Sequence, residues 1–408
     1  MGSSAQHIGK IVILSEYIHE AENSTGYFWS KIIERLANGR EQLSVLAPAS
    51  FVPGCDMHTV PGVEYHYFKR SKFNKNGLLT RLFGQLEQAL KFTRFLVKYA
   101  GKGDLLVTGT NPMLLLLVLP IIRLILRFQW VLLVHDVYPD NLVPSKVLNP
   151  RSMIFKLLSR YFDWVYRSAD LVFVIGRDMQ KLIESKIGKA DKVHYIPNWV
   201  DENDIAPSNR STSEIIKSLN WEDKIVFQFF GNFGRVQGID NLLDGIKLVK
   251  NPLATFLFIG GGVKVDLVKE FAANQLSQRV VYFGELAQSK KMMGLVACDV
   301  ALITLEKGML GLGVPSKAYF SMAADRPLMA VMESDAEIAL MVKEHNIGWV
   351  CEPGNPASLA ALIDEICATS AAKRLANSRA VFEKYYSERV GLDQFVRTLL
   401  KFSNRPPK

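Results

Sequence analysis

The stretch IVFQFFGNFGRVQGIDNLLDGIKLV, residues 225–249, decides the fold. Ile225 to Phe230 is a short apolar run rich in β-branched and aromatic residues, which predicts a buried strand. The loop GNFGRVQG follows, and a helix is expected to begin near Gly238. The same unit recurs downstream. Thr255–Ile259 leads into Gly260, Gly261 and Gly262, and Val280–Phe283, Val300–Ile303, Leu328–Val331 and Trp349–Val350 are further strands. It also recurs upstream. Ile11–Leu14, Leu43–Leu46, Asp104–Thr108, Trp130–Val134, Leu171–Ile175 and Val193–Ile196 read as strands. Helical patterns fall between most of them, at Thr25–Asn38, Leu78–Tyr99 and Ser152–Arg167. Alternating strand and helix implies an α/β class with parallel sheets covered on both faces.

The pattern runs once, breaks where Pro, Asn, Asp and Ser cluster at Pro197–Ser213, and starts again. Two tandem Rossmann-like doubly wound units are therefore expected, residues 1–198 and 199–384. A terminal helix within 385–408 is expected to return to the first unit. Ligands of open α/β sheets bind outside the carboxyl ends of the strands, so function belongs in an interdomain cleft.

The 408 residues carry a net charge of +9, and its distribution is uneven. Residues 1–200 hold 25 basic and 16 acidic side chains, while residues 201–408 hold 24 of each. In residues 69–102, Lys69, Arg70, Lys72, Lys75, Arg81, Lys91, Arg94, Lys98 and Lys102 face only Glu87. A basic half beside a neutral one suggests an anionic partner, although a solvated face gives the same pattern. The four cysteines, Cys55, Cys298, Cys351 and Cys367, show no CxxC pair. This argues against a zinc ribbon or disulfide framework and for reduced thiols in a cytoplasmic compartment. The start MGSSAQHIGK lacks the apolar stretch of a signal peptide, and Gln6 stands where a myristoylation site wants Ser or Thr. Met113–Leu126 is too short to span a bilayer and reads as a buried helix, with a shallow interfacial helix as the second choice.

Three segments carry candidate chemistry. In GNFGRVQG the glycines permit close backbone approach, a helix N-terminus offers free amides, and Arg235 adds a fixed charge. The pattern suits a diphosphate, and also a tight turn with a solvated arginine. In GVPSKAYFSMAADRP, residues 313–327, Pro315 and Ser316 start a helix. Lys317 then opposes the helix dipole, which makes sense if an anion sits at the same end. In LLVHDVYPDNL, residues 132–142, a strand ends in His135 and Asp136, placing titratable groups at the cleft. The remaining histidines show no metal-ligand spacing.

Taken in order, these segments resemble the retaining glycosyltransferases of family 4, which have the GT-B fold. The likeness is strongest to the branch building bacterial capsule, O-antigen and exopolysaccharide. Further landmarks are RSADLVFVIGRDMQKLI at 167–183, YIPNWVD at 195–201, FIGGGVKVD, YFGEL with ACDVALI, and GWVCEPGNPASLAALI. The resemblance implies a nucleoside diphosphate sugar bound by the second unit. Asn232 and Gln237 fall where many members carry the Arg and Lys that flank the diphosphate, and Arg235 comes three residues late. Leu312 and Phe320 occupy the positions of the family's paired glutamates. By position, the backbone amides of Gly313 and Val314 are expected to meet sugar hydroxyls and those of Ser316 and Lys317 the phosphates, with Pro315 and Phe320 also in the donor site. Glu285 and Leu286 would bracket the base, His135 would lie near the sugar, and Gly26 and Gly238 would belong to the diphosphate loops.

The implied reaction transfers a hexose from a UDP-sugar, with GDP as the other nucleotide, retaining anomeric configuration without metal or cofactor. His135, Arg235 and Lys317 are the expected catalytic residues. The implied acceptor is a saccharide or polyprenyl-diphosphate-linked saccharide. Segment 69–102 would face an anionic membrane at the inner face of the cell, and no nucleic acid is expected. A sugar-nucleotide epimerase of the same fold and a non-catalytic sugar-nucleotide or membrane-binding module are the alternatives. A dinucleotide oxidoreductase fits less well, because SEYIHEAENSTG replaces GxGxxG after the first strand.

Overall fold

The computed structural model describes residues 9–20, 22–39, 42–49, 59–70, 78–274, 278–369 and 377–403. Gly2, Cys55, Lys72 and Lys75, and the side chain of Arg81, lie outside the described residues.

The first unit runs β1 (Ile11–Leu14), α1 (Ser24–Asn38), β2 (Leu43–Pro48), β3 (Val63–Phe68), α2 (Leu78–Tyr99) and β4 (Leu105–Gly109). It continues with α3 (Met113–Leu116), α4 (Leu119–Leu126), β5 (Gln129–Val134), α5 (Met153–Ser168), β6 (Leu171–Val174), α6 (Arg177–Ile187) and β7 (Val193–Tyr195). Its seven strands form a parallel sheet in the order β3-β2-β1-β4-β5-β6-β7.

The second unit runs α7 (Glu214–Ser218), β8 (Ile225–Phe230), α8 (Ile239–Leu248), β9 (Ala254–Ile259), α9 (Val265–Ala273), β10 (Val280–Gly284) and α10 (Lys291–Leu295). Then come β11 (Val300–Thr304), α11 (Lys317–Ala323), β12 (Leu328–Val331), α12 (Glu337–His345), β13 (Gly348–Cys351) and α13 (Pro356–Ala368). The sheet is parallel, in the order β10-β9-β8-β11-β12-β13. The chain order reverses between β1 and β4 and again between β8 and β11. These are the switch points where crevices open at the strand ends.

The central strands are apolar runs because both of their faces are covered: β1, β4, β6, β9, β11 and β12 are buried at every residue. Trp29, Trp130, Phe173 and Val107 belong to the first core, which continues through Met309, Leu312, Tyr319 and Phe320 onto one face of the second sheet. Phe227, Phe229, Phe256, Leu242 and Ile363 fill the other face.

Helices α14 (Ser378–Tyr385) and α15 (Glu388–Ser403) close the chain. Phe395 of α15 lies 4.5 Å from Phe173 and 6.2 Å from Trp199, centroid to centroid, and Asp393 pairs with Arg35 of α1 at 2.5 Å. Gly391 is required where α15 crosses Trp199, since a Cβ there would stand 3.0 Å from the indole.

Two local expectations are corrected. Strand β3, VEYHYF, was not foreseen; it is a half-exposed edge strand whose charge and alternation weaken the apolar signal. Met113–Leu126 is not one buried helix. It divides at Leu117–Val118 into α3 and α4, with Pro120 in the first turn of α4, and Ile121, Leu124 and Ile125 are exposed. Cys298, Cys351 and Cys367 are buried free thiols, and burial pushes Cys298 and Cys367 up to about 12.

Candidate active site

The site is assembled at the carboxyl ends of both sheets. In the first unit, the Asn23 side chain caps α1 by accepting from the Gly26 amide at 2.9 Å. Gly26 packs on the His19 carbonyl, where a Cβ would come within 2.1 Å, so this turn requires glycine. The cap sets Ser24, Thr25 and Phe28 along one wall of a cleft. At the end of β5, the buried Thr110 hydroxyl accepts from both the His135 and Asp136 amides, each at 3.2 Å. The His135 ring stacks on Phe28 at 6.4 Å, and burial lowers its pKa to about 4. At neutral pH it is an uncharged imidazole. Burial raises the Asp136 pKa, with hydrogen bonds from Asn111 and Asn141 opposing.

In the second unit, Gly231, Gly260 and Gly284 end β8, β9 and β10 with φ of 140°, 130° and 97°. Gly231 N–H donates to the Ile259 carbonyl at 2.9 Å and Gly260 N–H to the Gly284 carbonyl at 2.8 Å, so the three strand ends are laced together. Phe233 is buried against Phe229, Phe258 and Tyr282 and anchors the loop. Gly238, at φ 60°, opens α8, and a Cβ there would meet the Leu305 carbonyl at 2.8 Å. Gln237 is fastened through its carbonyl, which accepts from the Thr304 hydroxyl. Its Oε1 accepts from Lys317 Nζ at 2.6 Å. The same ammonium lies 3.7 Å from the Phe229 ring centroid, and burial lowers its pKa to about 7.

Between these walls lies a cavity of about 160 Å3 that opens to solvent. Of the residues expected at the site, His135, Gln237, Gly313, Val314, Pro315 and Ser316 line it, and Lys317 is held against Gln237. Others stand apart. Arg235 is exposed and outside the cavity lining. Asn232 is exposed beside Gly262, and Glu285 is exposed over Gly261. Leu286 packs by Gly294 and Phe230 at the same strand ends. Phe320 is buried behind the wall, 5.7 Å from Tyr27.

The paired-glutamate positions therefore hold two buried apolar side chains. Phe320 carries a cation instead, with Lys291 Nζ 3.3 Å from its ring centroid. Burial lowers the Lys291 pKa to about 8, with Asp204 and Glu20 opposing. Sequence reading missed Lys291, Thr110, Asn198 and Met309. Only Asn198, inside YIPNWVD, lay in a quoted motif.

The loop carrying Gly311–Ser316 is stitched to the first unit. Val137 N–H donates to the Leu312 carbonyl at 3.2 Å, and Asp136 bridges Gly313. The Asp178 carboxylate at the start of α6 accepts from Gly311 N–H at 2.9 Å. Nearby, the fully buried Glu337 carboxylate accepts from the Arg177 amide at 2.7 Å, its Nε at 3.0 Å and the Tyr195 hydroxyl at 2.8 Å. Arg177 also forks onto Glu344 at 2.6 and 2.8 Å. Removing the guanidinium leaves a buried charge short of partners. Arg177→Ala is expected to lower stability by about 2 kcal/mol, below the full cost of a broken buried pair because Arg177 is partly solvated. Denaturant midpoints with an unchanged slope would measure it.

Among the described residues, no group of three His, Cys, Asp or Glu side chains is placed to hold a metal ion. The arrangement sets a neutral imidazole and the Gly313–Ser316 loop on one cavity, with a buried lysine held on the lining residue Gln237. It suits an anionic, polar ligand whose charge grows during reaction.

Residues 31–204 match the family described as Glycosyltransferase Family 4, and residues 224–369 match Glycosyl transferases group 1. The chain belongs to the family 4 glycosyltransferases, and its paired parallel sheets are the GT-B fold. It is 47% identical over 401 residues to the probable glycosyltransferase WbjE of Pseudomonas aeruginosa, covering 97% of this chain and 100% of that one. The fold is shared with Anabaena Alr3699/HepE in complex with UDP-glucose, at a TM-score of 0.71 and 19% identity over 96% of this chain and 99% of that one. It is also shared with sucrose-phosphate synthase from Thermosynechococcus elongatus, at a TM-score of 0.75 and 17% identity over 96% and 100%.

Proposed function

We propose that the protein transfers a hexose from a UDP-sugar, UDP-glucose or a similar donor, to a saccharide or lipid-linked saccharide in cell-surface polysaccharide synthesis, retaining anomeric configuration. The observation that carries this reading is Lys317, buried and bonded to Gln237, which lines the cavity between the sheets. Among the described residues no carboxylate pairs with this ammonium, which is poised for an anion. The diphosphate of the donor supplies one, and its charge increases as the sugar leaves. The complex of Alr3699/HepE with UDP-glucose, on the same fold, supports the choice of donor.

Lys317, the amides of Ser316 and Lys317, and Arg235 turning in from the rim stabilise the departing diphosphate without a metal. Gly313 and Val314 meet the sugar hydroxyls, and neutral His135 orients the ring. Glu285 and Leu286 bracket the base beside Gly260–Gly262. A phosphate oxygen of the leaving group accepts the proton of the acceptor hydroxyl on the same face. The C1–O bond to the diphosphate breaks as the bond to the acceptor forms, and no protein nucleophile is assigned. The acceptor meets the basic first half, at the inner face of the cell membrane. Among the described residues, no helix is long and apolar enough to cross a membrane.

Thermal stabilisation across UDP-, GDP- and ADP-sugars tests the donor. A donor at about 100 times its Kd adds about 2.7 kcal/mol to the folded state, so the true donor should raise Tm most. UDP-glucose or a close relative is the expected winner. A melting point indifferent to every nucleotide sugar would remove the reading. Release of UDP only when a saccharide acceptor is present separates a transferase from an epimerase or a passive binder.

A further inference from the structure

We propose that the outer face of the first unit formed by α4 and α5 is a docking pad for an anionic lipid bilayer. Ile121, Leu124 and Ile125 of α4 are 50, 68 and 72% exposed, at a spacing that puts them on one side of the helix. Met153, Ile154 and Leu157 of α5 are 69, 62 and 59% exposed. The helices are neighbours, and the Tyr161 hydroxyl of α5 donates to the Leu117 carbonyl just before α4. Arg123 of α4 pairs with Asp170 just past α5, so the α4 cluster lies toward the far end of α5 from Met153 and Ile154, and the exposed apolar side chains run along the length of this face. The exposed apolar residues of the second unit, such as Leu248, Val263 and Leu310, lie on separate elements.

The charges around the pad select its occupant. Arg127, Arg151, Lys156 and Arg160 are exposed around it, and none forms an ion pair among the described residues. The one acid on these two helices, Asp163, faces Lys186 at 3.3 Å. Cations ringing aliphatic residues match a surface of anionic headgroups over acyl chains. A two-fold pairing of this face with a second copy would instead oppose like charges. Trp164, 37% exposed further along α5, suits the headgroup boundary.

The topology gives the pad a direction. In a parallel β/α unit the helix runs back along the sheet, so the start of α5, with Met153 and Ile154, lies at the same end as His135 after β5. The pad thus reaches the edge of the cleft. Resting on the proposed function, this would let an acceptor carried on a membrane lipid enter beside the docked face. Segment 69–102 exposes Phe83, Leu86, Leu90 and Val97 of α2 as well as Arg94 and Lys98, and so adds a second apolar and basic face to the first unit.

Co-sedimentation of the full chain with vesicles tests the pad. Vesicles of phosphatidylcholine alone are compared with vesicles containing about one-third phosphatidylglycerol. The anionic vesicles should bind at least about tenfold more protein. Leu124→Ser/Ile125→Ser and, independently, Met153→Ser/Ile154→Ser should each lower that binding at least about tenfold. Lys156→Glu/Arg160→Glu should do the same at low salt, and Val263→Ser/Leu267→Ser in the second unit should change nothing. The substituted residues are exposed, so unfolding midpoints should stay put. Equal binding to neutral vesicles, or full binding by both apolar variants, would overturn the proposal. So would a wild-type dimer in sedimentation equilibrium that Leu124→Ser/Ile125→Ser dissociates. None of these readouts uses a nucleotide sugar, so the pad and the donor assignment fail separately.

Discussion

Lys317→Ala is expected to lower turnover of the UDP-sugar by about 100- to 1,000-fold, the usual cost of removing one preorganised group that stabilises developing charge. The effect should fall mainly on kcat, because the diphosphate gains charge as the sugar leaves. The pH profile gives a second signature. In the free protein, burial has brought the Lys317 pKa down to about 7 from its ordinary 10.5. The donor needs the ammonium, so above pH 7 binding must be accompanied by proton uptake. The donor kcat/KM should then decline toward about tenfold per pH unit above pH 7, while kcat stays flatter because the bound diphosphate holds the proton. Stability moves the other way. Between about 7 and 10.5 the unfolded chain binds the proton that the folded chain has lost. Stability contributed by this residue therefore rises with pH across that window and is lost as pH falls through 7. Lys317→Met should lower turnover about as much as Lys317→Ala, remove this slope and leave the protein at least as stable near pH 6. His135, already neutral well above its pKa of about 4, adds no limb near pH 6.5.

Gly260→Ala is expected to cost at least about 3 kcal/mol and to empty the donor site with it. At φ 130°, a Cβ on Gly260 would stand 2.0 Å from the Gly231 carbonyl oxygen. That oxygen is backbone, so no rotamer relieves the clash. Relief requires β8 and β9 to part exactly where Phe233 N–H donates to the Gly261 carbonyl at 2.7 Å and fixes the loop leading to Gln237. Gly308→Ala is the matched control. Its φ is 89°, but nothing lies within 4 Å of the added methyl. It should cost about 1–2 kcal/mol from backbone strain alone and spare donor binding. Equal losses in the two variants would mean that packing of the strand ends is not what forms the floor.

The reach of the sequence follows from what each residue is paid attention by its neighbours in the fold. Strands buried on both faces need unbroken apolar runs, so β1, β4, β8 and β11 could be read directly. Edge strand β3 answers to water on one side and could not. The apolar composition of α4 was visible, but composition does not say which face a helix buries, and the exposed one proved to hold Leu124 and Ile125. At the site, glycine positions and strand-end residues were legible because their backbone demands are local. His135, Gln237 and Ser316 line the cavity. Side-chain direction within a loop was not legible: Phe233 is drawn into the aromatic core, leaving Arg235 outside and Gln237 inside. Contacts between the units were also hidden. Asp178 meets Gly311 across 133 residues, and Lys291 lies 5.7 Å from the Tyr27 ring centroid of the first unit, from a helix with no motif of its own.

The proposed mechanism seats the donor diphosphate at Lys317 between the two sheets. The most direct measurement is a crystal structure of the full chain with UDP. In that complex Lys317 Nζ is expected to turn from Gln237 onto the diphosphate, with the Ser316 and Lys317 amides within hydrogen-bond distance of it and uracil beside Glu285 and Leu286. UDP bound with Lys317 still on Gln237 and no phosphate near Ser316 would contradict it.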